Sequence, residues 1–223
     1  MTTEVQIANL ALSHIGHKAT VAAIDGSEQS REAELCAQFY DLARDTVLER
    51  HTWNFTMRRI VATEVDEDIE GWEYVYAKPA DTLRIIAVLP EGFDDDYADV
   101  FSMVPNAYDE PMPAQAGRYV PSPFVMETLD DGTEVILTDV ENARIRYQVR
   151  VTDTAKFTAA FTMAVSRMLA SFIAGPLIKG DAGIAESKAQ RQVAEAEIME
   201  ARVHDARQRN VKPRHTVPWL AVR

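Results

Sequence analysis

Residues 157–178 read FTAAFTMAVSRMLASFIAGPLI, and the fold turns on whether this stretch belongs in lipid or in protein. Its length would permit a membrane span. Its one charge, Arg167, sits near the middle, where insertion scales penalise it by roughly 3 kcal/mol. Ala159, Ala160, Ala164, Ala170 and Ala174 are small where lipid-facing helices favour larger side chains, and Gly175-Pro176 interrupts the run. The stretch reads as a helix buried in protein, with Phe157, Ala160, Phe161, Ala164, Met168 and Phe172 at helical spacing from Thr154 onward. Pro176 and Gly180 are expected to break the chain.

On the C-terminal side, a long alanine-rich helix is expected from about Asp181 to Gln208. Its expected buried stripe is Ala182, Ala185, Ala189, Val193, Ala196, Met199 and Val203. On the N-terminal side the period is that of strands: 55–65, 72–77, 83–89, 123–129, 133–137 and 143–151. Asp130-Asp131-Gly132 is a hairpin signal, with the glycine taking a positive φ. Eight of the ten prolines fall between Lys78 and Pro176, where they punctuate strands and loops. Residues 90–122 lack periodicity and read as long loops with one or two short strands.

Before Trp53-Asn54-Phe55 the helical period returns. Val5, Ala8, Leu12 and Ile15 define a first helix from Thr3, stopped by Gly16. A second runs from Glu28 to about Arg50, with Ser27 as its expected N-cap. Its stripe is Cys36, Phe39, Tyr40, Ala43 and Val47, widened by Leu35 and Leu42, and the two helices read as a helical hairpin. Helices, strands, then helices give an α+β chain. The expected organisation is a bundle from the N- and C-terminal helices (1–54 and 152–209), an inserted antiparallel β domain (55–151) and an extended C-terminal arm (210–223).

Composition narrows the chemistry. The chain has 223 residues, 47% of them apolar, ordinary for a globular protein. Its 23 Lys and Arg against 35 Asp and Glu give a net charge of −12, which disfavours an overall electrostatic grip on nucleic acid. The single cysteine, Cys36, excludes an intramolecular disulfide or a cysteine-based zinc site and reads as a buried thiol. Met1-Thr2-Thr3-Glu4 does not begin like a signal peptide, so a soluble protein is expected.

His14 and His17 read as solvent-facing residues at a helix end, and His51 beside Trp53 as a packing residue. The acidic runs Glu64–Glu70 and Glu91–Asp99 do not alternate as a calcium loop does and read as solvated loop tips, with weak cation binding as the alternative. The HExxH, GxSxG, GxxxxGK[ST] and GxGxxG motifs are absent, so no catalytic, cofactor-binding or metal residues are assigned.

Charge is unevenly placed. Residues 201–223 carry Arg202, Arg207, Arg209, Lys212, Arg214 and Arg223 against Asp205, a net +5 that leaves −17 for the rest. The end of the arm, Val217-Pro218-Trp219-Leu220, offers anchors for a partner's groove. Arg209, Lys212, Arg214, Trp219, Leu220 and Arg223 are therefore the candidate partner-binding residues.

Several short pieces, taken in order, carry a resemblance. They are Ile7-Ala8-Asn9-Leu10-Ala11-Leu12, Ile15-Gly16, Asp25-Gly26-Ser27, Ala33 to Tyr40, Arg44-Asp45 and Trp53-Asn54-Phe55. Trp72-Glu73-Tyr74-Val75-Tyr76, Lys78-Pro79 and Leu83-Arg84 follow. The last are Ile145-Arg146-Tyr147, Val151, Asp153 and Met168-Leu169-Ala170. Their order from about residue 5 to 205 resembles the tail tubular protein A family, the head-to-tail adaptors of short-tailed bacteriophages; residues 93–121 match no part of it.

The resemblance implies a helical bundle with an inserted β domain and a virion protein without enzymatic activity or cofactor. It implies a dodecameric homo-oligomeric ring at the head–tail junction, assembled in the host cytoplasm. The phage portal protein would sit above, the tail nozzle or another tail protein below, and DNA would pass through the lumen without sequence-specific binding or any membrane contact. The arm would contact a neighbouring subunit or the portal. Another tail completion or baseplate component, and an acidic hydrolase of cell-wall glycan using carboxylates of the β region, are the alternatives left open.

Overall fold

The computed structural model describes residues 2–91 and 122–208. The chain is α+β, with four helices and two small antiparallel sheets. It divides into two compact units. One comprises Met1–Met57 and Val149–Gln208, the other Arg58–Gln148.

The helical unit is organised around α3, Ala159–Ile178. Phe161, Ala164, Val165, Met168, Leu169, Ala170, Ile173 and Ala174 are fully buried. Alone among the described residues, α3 is long and apolar enough to cross a membrane, and most of its apolar window is covered by protein. It is contacted by α1 (Glu4–His14), α2 (Arg31–Glu49) and α4 (Gly180–Arg207).

The expected opening hairpin is corrected here. Both α1 and α2 pack chiefly on α3 and scarcely touch each other. The segment between them is held locally, with the Asn9 side chain donating to the Val21 carbonyl at 2.8 Å and accepting from the Val21 amide at 3.0 Å.

Local chemistry sets the helix ends. Thr3 caps α1 in a capping box with Gln6. Gly16, at φ +75°, closes it: the Gly16 amide donates to the Ser13 carbonyl and the His17 amide to the Leu12 carbonyl. That bond pair defines a Schellman motif.

The N-cap of α2 is Ser30, not Ser27. Ser27 is held by its amide and hydroxyl to Asp25 Oδ1. Glu28 accepts from the amides of Ala22 and Ala23 and from the Ser30 hydroxyl, so its carboxylate closes the loop and delays the helix. Cys36, Tyr40, Ala43 and Val47 lie in the core, whereas Leu42 is 52% exposed and does not widen the buried stripe.

Likewise α3 begins later than its apolar period, at the N-cap Thr158. Thr154–Lys156 forms a separate 3-10 turn, in which the Ala155 amide donates to the Asp153 side chain. Pro176 lies inside α3 and does not end it. The break comes at Lys179 and Gly180, both with positive φ, and α4 starts at once. The helices cross closely there: a Cβ on Gly183 would stand 3.1 Å from the Gly175 carbonyl oxygen.

The largest correction concerns α4. Its buried residues are Gly183, Gln190, Ala194, Ile198, Ala201 and Asp205, so the expected stripe from Ala182 to Val203 lies outside, with Met199 59% exposed. The buried face includes polar side chains that find partners inside the unit. Ser187 donates to the Ser171 carbonyl, Gln190 to the His14 carbonyl, and Asp205 accepts from Asn54. Hydropathy alone therefore selected the wrong side.

The strands are β1 (Met57–Val61), β2 (Tyr74–Ala77), β3 (Thr82–Leu89), β4 (Phe124–Thr128), β5 (Glu134–Thr138) and β6 (Arg144–Val149), all in the second unit save Met57 and Val149 at the ends of β1 and β6. Their sheet orders are β1-β6-β3 and β2-β5-β4. In the second sheet Val75 pairs with Leu137 and Met126 with Ile136. Gly132, at φ +86°, turns the β4–β5 hairpin, with Asp131 accepting from the Thr133 amide and hydroxyl. Val75, Val135 and Leu137 form a small core against which Val65, Ile69, Trp72 and Leu129 pack. Phe55 stands before β1, in a 3-10 turn over Asn54–Thr56.

Candidate functional site

Two polar clusters of the helical unit hold the groups most able to do chemistry. The first joins α1, α3 and α4. His14 Nε2 lies 3.0 Å from Ser166 Oγ, a serine–histidine contact of the kind hydrolases use. Here Ser166 is fully buried and its hydroxyl donates to the Met163 carbonyl at 2.8 Å. With that proton committed, the imidazole N–H is the donor to Ser166 Oγ, the reverse of base activation.

Burial, with the Arg167 guanidinium adding to it, holds the His14 imidazolium pKa down at about 4, so the ring is neutral. The neighbouring Gln190 amide completes the cluster. Its oxygen accepts from Arg167, and its nitrogen donates to the His14 carbonyl and to Glu186. This cluster locks three helices together. His14 is thus half-buried, not solvent-facing as expected. His17 lies beyond the end of α1, 3.9 Å from Glu32.

The second cluster ties α4 to the segment after α2. Asp205, 4% exposed, accepts from the Asn54 amide at 3.1–3.2 Å, while Asn54 Nδ2 donates to the Asp205 carbonyl at 2.7 Å. His51 Nε2 stands 3.4 Å from the same carboxylate and sets its ring edge-on to Trp53, 4.9 Å away. Trp53 donates to the Val47 carbonyl and meets Phe161 edge-to-face at 5.1 Å; Phe55 and Phe157 pack on the same Phe161 ring.

Sequence reasoning missed the Asn54–Asp205 clamp. Its signal was there: an acid in the last turn of a helix opposes the macrodipole, and Asp205 is the one acid of an otherwise basic stretch. Arg44 was missed too. It is buried and held between Asp41 at 2.8 Å and Asp45 at 2.9 Å, and Asp45 also pairs with Arg150 at 3.1 Å.

Cys36 is buried, and burial, with the Glu32 carboxylate adding to it, pushes the thiol up to about 11. That is far from the thiolate a nucleophile needs. In the run Glu64–Glu70 the acids point to solvent while Val65 and Ile69 anchor the segment to the β-unit core. Among the described residues no cluster of His, Cys, Asp and Glu has the arrangement to hold a metal ion.

All six candidate partner-binding residues, Arg209, Lys212, Arg214, Trp219, Leu220 and Arg223, lie outside the described residues, as do 92–121 with most of the second acidic run. No protein-family model and no curated protein matches the chain.

Proposed function

We propose that this chain is a virion structural protein without catalytic activity, a head-to-tail connector that forms a ring between the phage portal and the tail. The observation that carries the reading is where the family-like residues fall. Ile7, Ala8 and Leu12 fill the core side of α1, Gly16 closes that helix, Trp53 bonds to the Val47 carbonyl and packs on Phe161, Asn54 clamps the end of α4, and Met168-Leu169-Ala170 sits in the middle of α3. Within the helical unit the ordered match thus includes residues that build the core and the helix ends, while Trp72 to Arg84 and Ile145 to Tyr147 fall in the strand unit. The inserted β domain and the extended arm belong to the same reading.

Charge supplies the mechanism. A ring of chains with −12 each presents an acidic surface to a passing duplex, and repulsion reaches roughly 8 Å at physiological salt. DNA is held off the wall of a wider channel without being blocked. Like-charged copies also repel one another, so ring closure requires complementary head-to-tail patches. The arm, with Arg209, Lys212, Arg214 and Arg223 around Trp219 and Leu220, would bind an acidic, grooved surface of the portal or of a neighbour. Repetition around the ring would turn weak single contacts into avidity.

The test is the light-scattering mass of the chain, alone and with its portal protein, at low and moderate salt, for the full chain and for one ending at Gln208. A ring-sized species with portal that is lost on truncation supports the connector and assigns the arm. A full-length chain indifferent to portal at every concentration refutes it.

A further inference from the structure

The outer face of α4 carries an apolar stripe that the other described residues leave uncovered. Val193, Met199 and Val203 are 39%, 59% and 52% exposed, and alanines continue the stripe to Ala182, a length of about 32 Å. The opposite face is already buried on α3. A helix apolar on two sides is suited to burial on both, and alanine lets a facing helix approach to about 8 Å.

The residues beside the stripe say what covers it. On a seven-residue repeat, Ala189, Ala196 and Val203 occupy one seam position and Gln192, Met199 and Ala206 the other. Two such faces set parallel would oppose Asp181 to Glu186, Glu195 to Glu200 and Arg202 to Arg207, all like charges. Antiparallel and fully overlapped, they would oppose Lys188 to Arg202 and Glu195 to itself. Antiparallel with a two-fold axis beside residues 197 and 198, they oppose Glu195 to Arg202 and Glu186 to Arg207, each twice. In that register Met199 packs on Ala196 and Val203 on Gln192, so both large side chains enter the seam. A stagger in the other direction also pairs opposite charges, Asp181 with Arg202 and Lys188 with Glu195, but leaves Val203 uncovered. Glu195 and Glu186 each use Oε1 within their own chain, for Arg50 and Gln190, and a carboxylate accepts through both oxygens.

We infer that the outer face of α4 binds the same face of a second copy, antiparallel, in the register that sets Glu186 against Arg207 and Glu195 against Arg202. This contact closes on itself as a two-fold dimer. It is separate from the head-to-tail contacts of a ring and does not depend on the connector reading.

Sedimentation equilibrium of the full chain tests it. The wild type is expected to dimerise reversibly, and Met199→Glu to remain monomeric with unchanged helical circular dichroism. Arg207→Glu should weaken the dimer by about tenfold or more, since two like-charge contacts replace two ion pairs. Adding Glu186→Arg to Arg207→Glu should restore dissociation to within about threefold of wild type. A wild type that stays monomeric overturns the inference, as does a dimer indifferent to Met199→Glu. So does a double variant no tighter than Arg207→Glu, because only this register pairs residues 186 and 207.

Discussion

The helical unit and the strand unit solve the problem of burial differently. In the helical unit one apolar helix, α3, is covered by three others, and an aromatic group of Trp53, Phe55, Phe157 and Phe161 closes around the start of α3. Polar side chains that enter this interior, Gln190 and Asp205, are hydrogen-bonded. In the strand unit burial is spread over the two sheets, with Val75, Val135 and Leu137 clustered in one and Ala87 with Leu89 from β3 in the other, beside further buried side chains such as Tyr76, Val88, Ile136 and Ile145. The strands β1 and β4 are largely exposed. Resistance to unfolding should therefore concentrate in the helices.

Four substitutions and one titration bear on that contrast. Phe161→Ala removes a fully buried ring that three aromatic neighbours touch and should cost about 3–5 kcal/mol in urea unfolding followed by helical circular dichroism. Leu137→Ala opens the smaller β-unit core and should cost less, about 2–3 kcal/mol. Equal losses would erase the distinction between the units. Asp205→Ala strands the Asn54 amide and takes the nearby carboxylate from His51. A loss of about 1–2 kcal/mol is expected, measured in the same way.

The pH dependence follows from His14. Its folded pKa, about 4, is below the ordinary 6.5. The unfolded chain therefore takes up this proton first as pH falls. Stability from this group is complete above about 6.5, declines between about 6.5 and 4, and is gone below. The lowered carboxylates Asp25, Glu28 and Asp131 titrate beneath most of that window. Thermal midpoints taken across it should fall in the wild type, and the slope should flatten in His14→Gln. The smallest effect is expected on the outside of α4. At concentrations too low for dimerisation, Val193→Ser should change unfolding free energy by under about 0.5 kcal/mol, because that face packs on nothing within the described chain.

Much of the fold was legible where a residue type has one physical use. Gly16 and Gly132 each mark a turn that needs positive φ, and both take it. The six β-rich runs each overlap a strand, since β-branched and aromatic residues between turn signals leave little else to form. Legibility failed where two uses compete. Ser27 and Ser30 are both good caps, and the three-dimensional reach of Glu28 decided for Ser30. On α4, apolar residues cover one side and small or paired polar residues the other, and only the partners of Gln190 and Asp205 reveal which side is inside. The clusters of His14 and His51 join residues more than 140 positions apart, beyond any local pattern.

The most direct test of the connector reading is electron microscopy of the chain mixed with its portal protein. Closed rings with an open central channel, stacked on the portal, are the expected image. Portals that stay bare at saturating concentrations of a folded chain would contradict it.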